Sequence, residues 1–287
     1  MVLQTKNTWA SNHAVTIINR LENNIFPWLG EQSIGAITAQ GLLEILRRIE
    51  SRGAHETAHR VLGVCDQIWR YAIATGRVER NIAADLKGAL TPAEKTHLAA
   101  VTDPKEVGLL MRSLDGYEGT LIVQCALRLA PLLFVRPGEL RTAQWKDIDF
   151  DKKEWGFIAS KIKTAHIVPL SRQAIEILQT LHPLTGSGRY VFPHARSKDR
   201  PMSNNAVLAA LRRLGIPKDE MCGHGFRAMA RTILDEELKF RPEYIEHQLS
   251  HVVKGPLGRA YNRTTHLPER HEMMQAWSDY LDTLKAS

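Results

Sequence analysis

The chain has 287 residues, 44 % hydrophobic and 24 % charged, with a net charge of +7 and a pI near 9.4. That balance suits a soluble globular protein of one large domain or two ordinary ones. No apolar run approaches the roughly 18 residues of a membrane span, and the N-terminus lacks a charged-then-apolar signal pattern, so a cytoplasmic location is expected. The positive charge fits a polyanionic partner. It is spread, however, with 11 Lys/Arg against 9 Asp/Glu in residues 1–95 and 27 against 22 in the remainder. Neither half is a basic tail, so if DNA is that partner the charge has to be focused on particular faces. Cys65, Cys125 and Cys222 are far apart, odd in number and form no CxxC pair. A disulfide framework and a thiolate zinc site are both disfavoured, and a reducing compartment fits.

Residues 1–90 read as a helical domain. A first helix follows Ser11, with Val15, Ile18, Leu21 and Ile25 on one face, and ends before Pro27. A second starts at Thr38 and buries Leu42, Leu46 and Ile49. The third and longest runs from about His55 to Thr75, with Gly76 as its stop. Its stripe is Val61, Leu62, Cys65, Ile68, Trp69 and Ala72, and Arg60, Gln67 and Arg70 lie opposite. That polar face is either solvated or set against phosphates. Residues 86–100 carry no sustained apolar stripe, and 91–102 reads as the linker to a second domain over 103–287.

The second domain opens strongly, with Asp103 as N-cap, Pro104 at N1 and Glu106 completing a capping box. Glu118 to Leu133 is a buried helix in which Pro131 either makes a kink or marks the end. Arg136-Pro137-Gly138-Glu139 is a loop opening a short helix. The period then switches. Residues 145–150 and 155–159 read as strands, Lys161 to His166 as a hairpin turn and Ile167 to Leu170 as the returning strand. Helices follow from Ser171 to about His182, from Ser203 to Leu214, from His224 to Leu238 and from Pro242 to His251. A short helix carries Tyr261, and Pro268 opens a last amphipathic one with Met273, Met274, Trp277, Tyr280 and Leu284. The fold class is mainly α with a small antiparallel β-sheet.

The richest stretch is 224–262. His224 and Arg227 share a face at a helix N-terminus, a natural place for a phosphate. His247 and His251 sit four apart, but Gln248 follows where a metalloprotease needs Glu and no third ligand is evident, so no metal is expected. Arg136 has Glu139 three residues on, able to orient its guanidinium.

In order along the chain stand Arg136 within Arg-Pro-Gly-Glu-Leu and Lys161 eight residues before the Pro of Ile-Val-Pro-Leu. His224-Gly225-Phe226-Arg227, His251 within Leu-Ser-His and Tyr261 ten residues later follow. This series resembles the tyrosine recombinases, the phage integrase family, and is most similar to integrases of satellite prophages and genomic islands. The resemblance is strong over 103–287; the first domain resembles the family's helical core-binding domain by pattern. Thr-Gly-x-Arg, common in the family at the first arginine, is Leu133-Phe134-Val135-Arg136 here. Members of that branch carry a further N-terminal domain for arm-type sites, and the chain starts too late to hold one, as a truncated or short relative would.

The resemblance implies a two-domain recombinase that integrates or excises mobile DNA, with dimer resolution or inversion, a type IB topoisomerase and a catalytically silent DNA-binding regulator as alternatives. Tyr261 is the implied nucleophile, making a 3′-phosphotyrosyl link and a free 5′-hydroxyl. The bond energy stays in the covalent intermediate, so no cofactor is needed. Arg136 and Arg227 each donate a fork of hydrogen bonds to the phosphate, a geometry lysine cannot match. The family assigns protonation of the leaving 5′-oxygen to Lys161. His224 acts as base beside the tyrosine, and His251 donates to a phosphate oxygen. Arg60, Arg70 and Lys163 are candidates for DNA contact. The implied partners are double-stranded attachment-site DNA, three further copies in a tetramer, and an excisionase or host DNA-bending protein, in a bacterial cytoplasm at the nucleoid. The last helix packs either in cis or on a neighbouring subunit.

Overall fold

The computed structural model describes residues 11–93, 98–161, 163–251 and 266–287. These divide into two compact units, Met1–Thr96 and His97–Ser287.

The first unit is helical throughout: α1 (Ser11–Asn24), α2 (Phe26–Leu29), α3 (Ala39–Glu50), α4 (His55–Ala74) and α5 (Ile82–Asp85). Helix α1 buries Ala14, Ile17, Leu21 and Ile25, while Val15 is exposed. The expected Leu21 and Ile25 are buried, but the N-terminal half of the stripe is shifted by one residue, from Val15 and Ile18 to Ala14 and Ile17. Ile17 and Ile18 are adjacent, so periodicity alone could not choose between them. Helix α1 ends before Pro27 as expected, and Pro27 lies in the first turn of α2, where its missing N–H costs nothing. Thr38 caps α3 through its hydroxyl, which accepts from the Gly41 N–H at 3.1 Å. Helix α4 buries Val61, Val64, Cys65, Trp69 and Ala72. Burial pushes the Cys65 thiol up to about 12, as befits a small buried hydrophobe.

The stretch from 86 is less free than its composition suggests. Leu86 and Leu90 enter the core of this unit. The Thr91 N–H donates to Glu50 at 2.7 Å, and the Thr91 carbonyl accepts from His59 at 2.7 Å. Two leucines in a turn past the end of α5 leave no periodic stripe to read.

The second unit begins with α6 (Pro104–Asp115), where Asp103 accepts from the N–H groups of Lys105 and Glu106. Its central helix is α7 (Leu121–Leu133), buried from Cys125 onward. It starts three residues later than expected, at Leu121 and not Glu118, and Pro131 lies in its last turn. Helix α7 ends at Phe134, whose φ of 35° is left-handed. Then come α8 (Pro137–Arg141) and a three-stranded antiparallel sheet of β1 (Ile148–Asp149), β2 (Glu154–Ile158) and β3 (Ala165–Pro169), in register Gly156↔Ile167. Residues 145–147 form a 3-10 turn where a strand was expected. Trp145 is held by two bonds, from its backbone N–H to the Arg189 carbonyl and from its indole to Thr185.

Helix α9 (Arg172–Thr185) is capped by Ser171 and continues through Pro183, past the expected end at His182. A two-stranded hairpin, β4 (Pro193–His194) and β5 (Ser197–Pro201), was not legible because its strands are short and polar. Helices α10 (Ala206–Arg213), α11 (Gly225–Glu236), α12 (Pro242–Gln248) and α13 (Leu267–Ala286) complete the unit. Helix α10 starts after Asn205, two residues beyond the expected cap Ser203. The helix expected around Tyr261 lies outside the described residues. Among the described residues no helix is long and apolar enough to cross a membrane.

The last helix packs in cis. Met273, Met274, Trp277 and Leu281 are buried in the common core. The Trp277 indole donates to the Pro131 carbonyl at 2.9 Å, and its ring meets Phe134 edge-on at 6.1 Å. Gly108 lets α6 and α13 touch: a Cβ there would sit 2.3 Å from the Leu284 carbonyl oxygen. Trp277→Ala should therefore lower the unfolding free energy by about 3–5 kcal/mol, measured by urea denaturation. A loss well under 1 kcal/mol would show that α13 is only loosely attached.

Candidate active site

Two left-handed turns build the site. The first is Phe134 at the end of α7, which leads through Val135 into Arg136 as the residue capping α8. The second is Ser250, φ 52°, just past α12. There the His251 N–H returns to the Glu246 carbonyl (3.0 Å) and the Ser250 N–H to the His247 carbonyl (2.9 Å). This double closure is the Schellman pattern, usually built with glycine at the left-handed position. It sets the direction in which His251 leaves the helix.

The arginines are braced by the carbonyls of these turns. Arg227 is buried and donates to the Phe134 carbonyl (3.0 Å) and the Leu249 carbonyl (2.6 Å). Arg136 donates to the Ser250 carbonyl (3.0 Å) and to Glu139 Oε1 (3.1 Å). Each arginine thus reaches the turn at 249–251, and Arg227 also grips the turn that precedes Arg136. Burial first, and the charge of Arg136 second, push the Arg227 guanidinium down to about 10. At neutral pH it is still a cation.

Glu139 is the buried counter-charge. Its Oε2 accepts from the Arg136 N–H at 3.1 Å, and its Oε1 accepts from the Ser160 N–H (3.1 Å) and hydroxyl (3.0 Å). Burial works to raise its carboxyl, but the Ser160 and Arg136 backbone donors and the Arg136 charge outweigh it and hold the group below its ordinary value. Ser160 follows β2, so Glu139 also links the arginine to the base of the β2–β3 hairpin.

His251 bridges Arg227 and Glu246. Its Nε2 lies 3.1 Å from an Arg227 N–H nitrogen and its Nδ1 lies 2.6 Å from Glu246 Oε2. His224 caps α11 and is exposed, but crowding of its imidazole by neighbouring atoms pushes it below the ordinary value. The charges of Arg227 and Arg136 add to this, and Glu139 opposes them. Gly225 beside it has a packing reason: a Cβ would fall 2.4 Å from the Ala99 carbonyl oxygen.

The structure thus gathers Arg136, Glu139, His224, Arg227 and His251. Tyr261 lies outside the described residues. Lys161 and Lys163 are exposed in the β2–β3 turn, Lys163 with a left-handed φ of 56°. Among the described residues, no hydrogen bond or ion pair joins either lysine to the arginines. In the first unit Arg60 and Arg70 are exposed on α4, each paired one turn back, with Glu56 at 2.7 Å and Asp66 at 2.6 Å. Such surface pairs hold their side chains weakly and open readily to another anion. Among the described residues no group of three or more His, Cys, Asp or Glu is placed to hold a metal ion.

Several supporting residues escaped the sequence reading. His166, assigned there to the hairpin turn, is in β3 and donates to the Gln248 carbonyl at 3.2 Å. Burial, then the charge of Arg270, pushes it down to about 4, so it is neutral. Arg270 on α13 is buried and donates to Gln248 Oε1 (2.6 Å) and to the Ile167 carbonyl. Only a charged residue among the apolar positions of the last helix hinted at it. Glu246 and Ser160 carry no sequence signal of their own.

Residues 2–89 match the phage integrase central domain, and residues 100–266 match the phage integrase family. The chain belongs to the phage integrase family, the tyrosine recombinases. Its relatives include the integrase of Enterobacteria phage P4, 37 % identical over 96 % of this chain and 66 % of that protein. The prophage integrase IntZ of Escherichia coli K12 is 36 % identical over 97 % of this chain and 68 % of its own length. The chain thus spans about two thirds of the length of these curated relatives. Among solved structures, a lambda integrase (75–356) dimer bound to a COC′ core site superposes with a TM-score of 0.69 at 18 % identity, covering 88 % of this chain and 92 % of that one. A lambda integrase tetramer bound to a Holliday junction gives 0.70, again at 18 % identity, covering 88 % and 75 %. At that identity the likeness speaks for the fold.

The Arg136–Glu139 pair should make stability depend on acid. A carboxyl held below its ordinary value stabilises the fold above about pH 4.5 and loses that contribution as pH falls through its lower folded value. Glu139→Gln should therefore be less stable than the parent at neutral pH, and the gap should narrow on acidification. Urea unfolding at neutral and acid pH measures this; a gap that stays constant would rule the account out.

Proposed function

We propose that this chain is a site-specific DNA recombinase that cleaves and rejoins duplex DNA through a 3′-phosphotyrosyl intermediate on Tyr261, to integrate or excise mobile DNA. The observation that carries the reading is the bracing of Arg136 and Arg227 about the turn bearing His251, in a chain of this family. A scissile phosphate has two non-bridging oxygens that gain charge as the phosphorus becomes pentacovalent. Two guanidiniums fixed before the substrate arrives meet that charge without reorganising. Charge-assisted, two-pronged donation from each is the chemistry arginine supplies and lysine does not.

The remaining roles follow. A phenol of pKa near 10 is mostly un-ionised at neutral pH, so Tyr261 needs a proton acceptor. His224, exposed and held below its ordinary value, is neutral there and can take the proton. Tyr261 oxygen attacks phosphorus, the bond to the 5′-oxygen breaks, and Lys161 gives that oxygen its proton. The reverse sequence reseals the strand from a free 5′-hydroxyl of the partner duplex. Residues 1–90 act as the core-binding domain, with Arg60 and Arg70 against phosphates, and Lys163 contacts DNA from the hairpin. Phosphate contacts make binding fall steeply with salt. The assembly is a tetramer on DNA, in line with the lambda integrase complexes, with an excisionase or host bending protein as a further partner and the nucleoid as its place of work.

Tyr261→Phe should abolish the covalent protein–DNA adduct on a nicked suicide duplex while binding in a gel-shift survives. An adduct that persists in this variant sinks the nucleophile assignment. Arg136→Lys should still bind DNA, but its adduct should form more slowly by a factor corresponding to roughly 3–4 kcal/mol of barrier. Near-parental cleavage would remove the two-pronged role of that arginine.

A further inference from the structure

Glu246 is not part of the constellation described above, yet it makes the shortest side-chain contact of His251. Its Oε2 lies 2.6 Å from His251 Nδ1. Its Oε1 accepts from Arg231 Nε at 3.1 Å, and Arg231 in turn reaches Asp235 at 3.4 Å. The other ring nitrogen, Nε2, faces Arg227 at 3.1 Å. A guanidinium can only donate. The lone pair of His251 must therefore be on Nε2, and the proton on Nδ1, where Glu246 accepts it. The backbone supports the same geometry, because the His251 N–H closes on the carbonyl of Glu246 itself.

We propose that Glu246 is a positioning residue for DNA cleavage, selecting the Nδ1–H form of His251 and aiming Nε2 at the arginine-lined phosphate site. Arg231, on α11, gives the carboxylate a second partner through its Oε1. The arrangement has the order carboxylate, imidazole, reacting group that fixes a tautomer in other active sites. It has a consequence for the cycle. When a phosphate oxygen meets Nε2, His251 can donate only after taking a second proton from solvent. Glu246 is then the counter-charge on the far side of the ring, while Arg227 stays on the Phe134 and Leu249 carbonyls. No carboxylate other than Glu246 contacts His251 among the described residues.

The inference rests on the recombinase reading, and its test separates the two. The purified chain, Glu246→Gln and Glu246→Ala would be compared on a nicked duplex selected from a random-sequence pool for covalent capture by the parental chain. Binding and adduct rate are read separately, and 15N NMR of the free proteins reads the protonation state of each His251 ring nitrogen. In the parental protein Nδ1 should be the protonated nitrogen and Nε2 the bare one. Glu246→Gln keeps an oxygen acceptor and should keep that tautomer; in Glu246→Ala only Arg227 still favours it, so its share should fall. Adduct formation should fall on the order of 10- to 100-fold in the alanine variant, the range for a carboxylate that orients a functional imidazole. DNA binding should be unchanged, and the glutamine variant should lie in between. Equal adduct rates in all three, or a parental His251 protonated on Nε2 alone, would overturn the role of Glu246. A parental chain that captures no DNA at all overturns the recombinase reading, and this inference with it.

Discussion

The structure depends on guanidinium groups held by backbone carbonyls. Arg227 binds the carbonyls of Phe134 and Leu249, and Arg136 binds that of Ser250. These are charge-assisted bonds between groups far apart in sequence, and they tie the end of α7 to the end of α12. Burying two like charges together is costly, and three features make it tolerable here. The carbonyl dipoles replace lost water, Glu139 supplies a paired negative charge, and the site remains open on the side where His251 and His224 are exposed. Under the proposed function, a phosphate diester supplies the missing negative charge. The site is thus electrostatically unfinished without an anion, which is the state a phosphate-transfer site should have before substrate.

Both carbonyl platforms are made by residues with positive φ that are not glycine. Left-handed backbone costs roughly 1–2 kcal/mol for a residue with a Cβ. At position 134 the cost is offset by burial: Phe134 is fully enclosed and packs edge-on against Trp277. This accounts for the departure from Thr-Gly-x-Arg. Glycine meets the backbone requirement directly, whereas phenylalanine meets it through the core behind it.

Much of this was legible in the sequence. Helix starts at Thr38, Asp103 and Ser171 were readable because each cap is a local chemical event between residues two or three apart. The candidate site residues were found by order and spacing, and Arg136, Glu139, His224, Arg227 and His251 do come together. What the sequence hid was of two kinds. Short or polar elements, such as the β4–β5 hairpin and the 3-10 turn at Trp145, are set by tertiary bonds with no periodic trace. The supporting groups Glu246, Ser160, His166 and Arg270 act through partners outside their own elements. Nothing in their immediate neighbours marks them out from ordinary surface or strand residues.

The packing of the last helix sets when the arginine cluster can be held in place as the chain is made. Trp277 stands behind Phe134, whose carbonyl holds Arg227, and Arg270 closes on Gln248 beside the His251 turn. A ribosome that has released everything up to residue 251 has exported every side chain of the arginine cluster, but not the wall that fixes it. The cluster is therefore complete in sequence before it is complete in structure, because its backing arrives only when α13 docks.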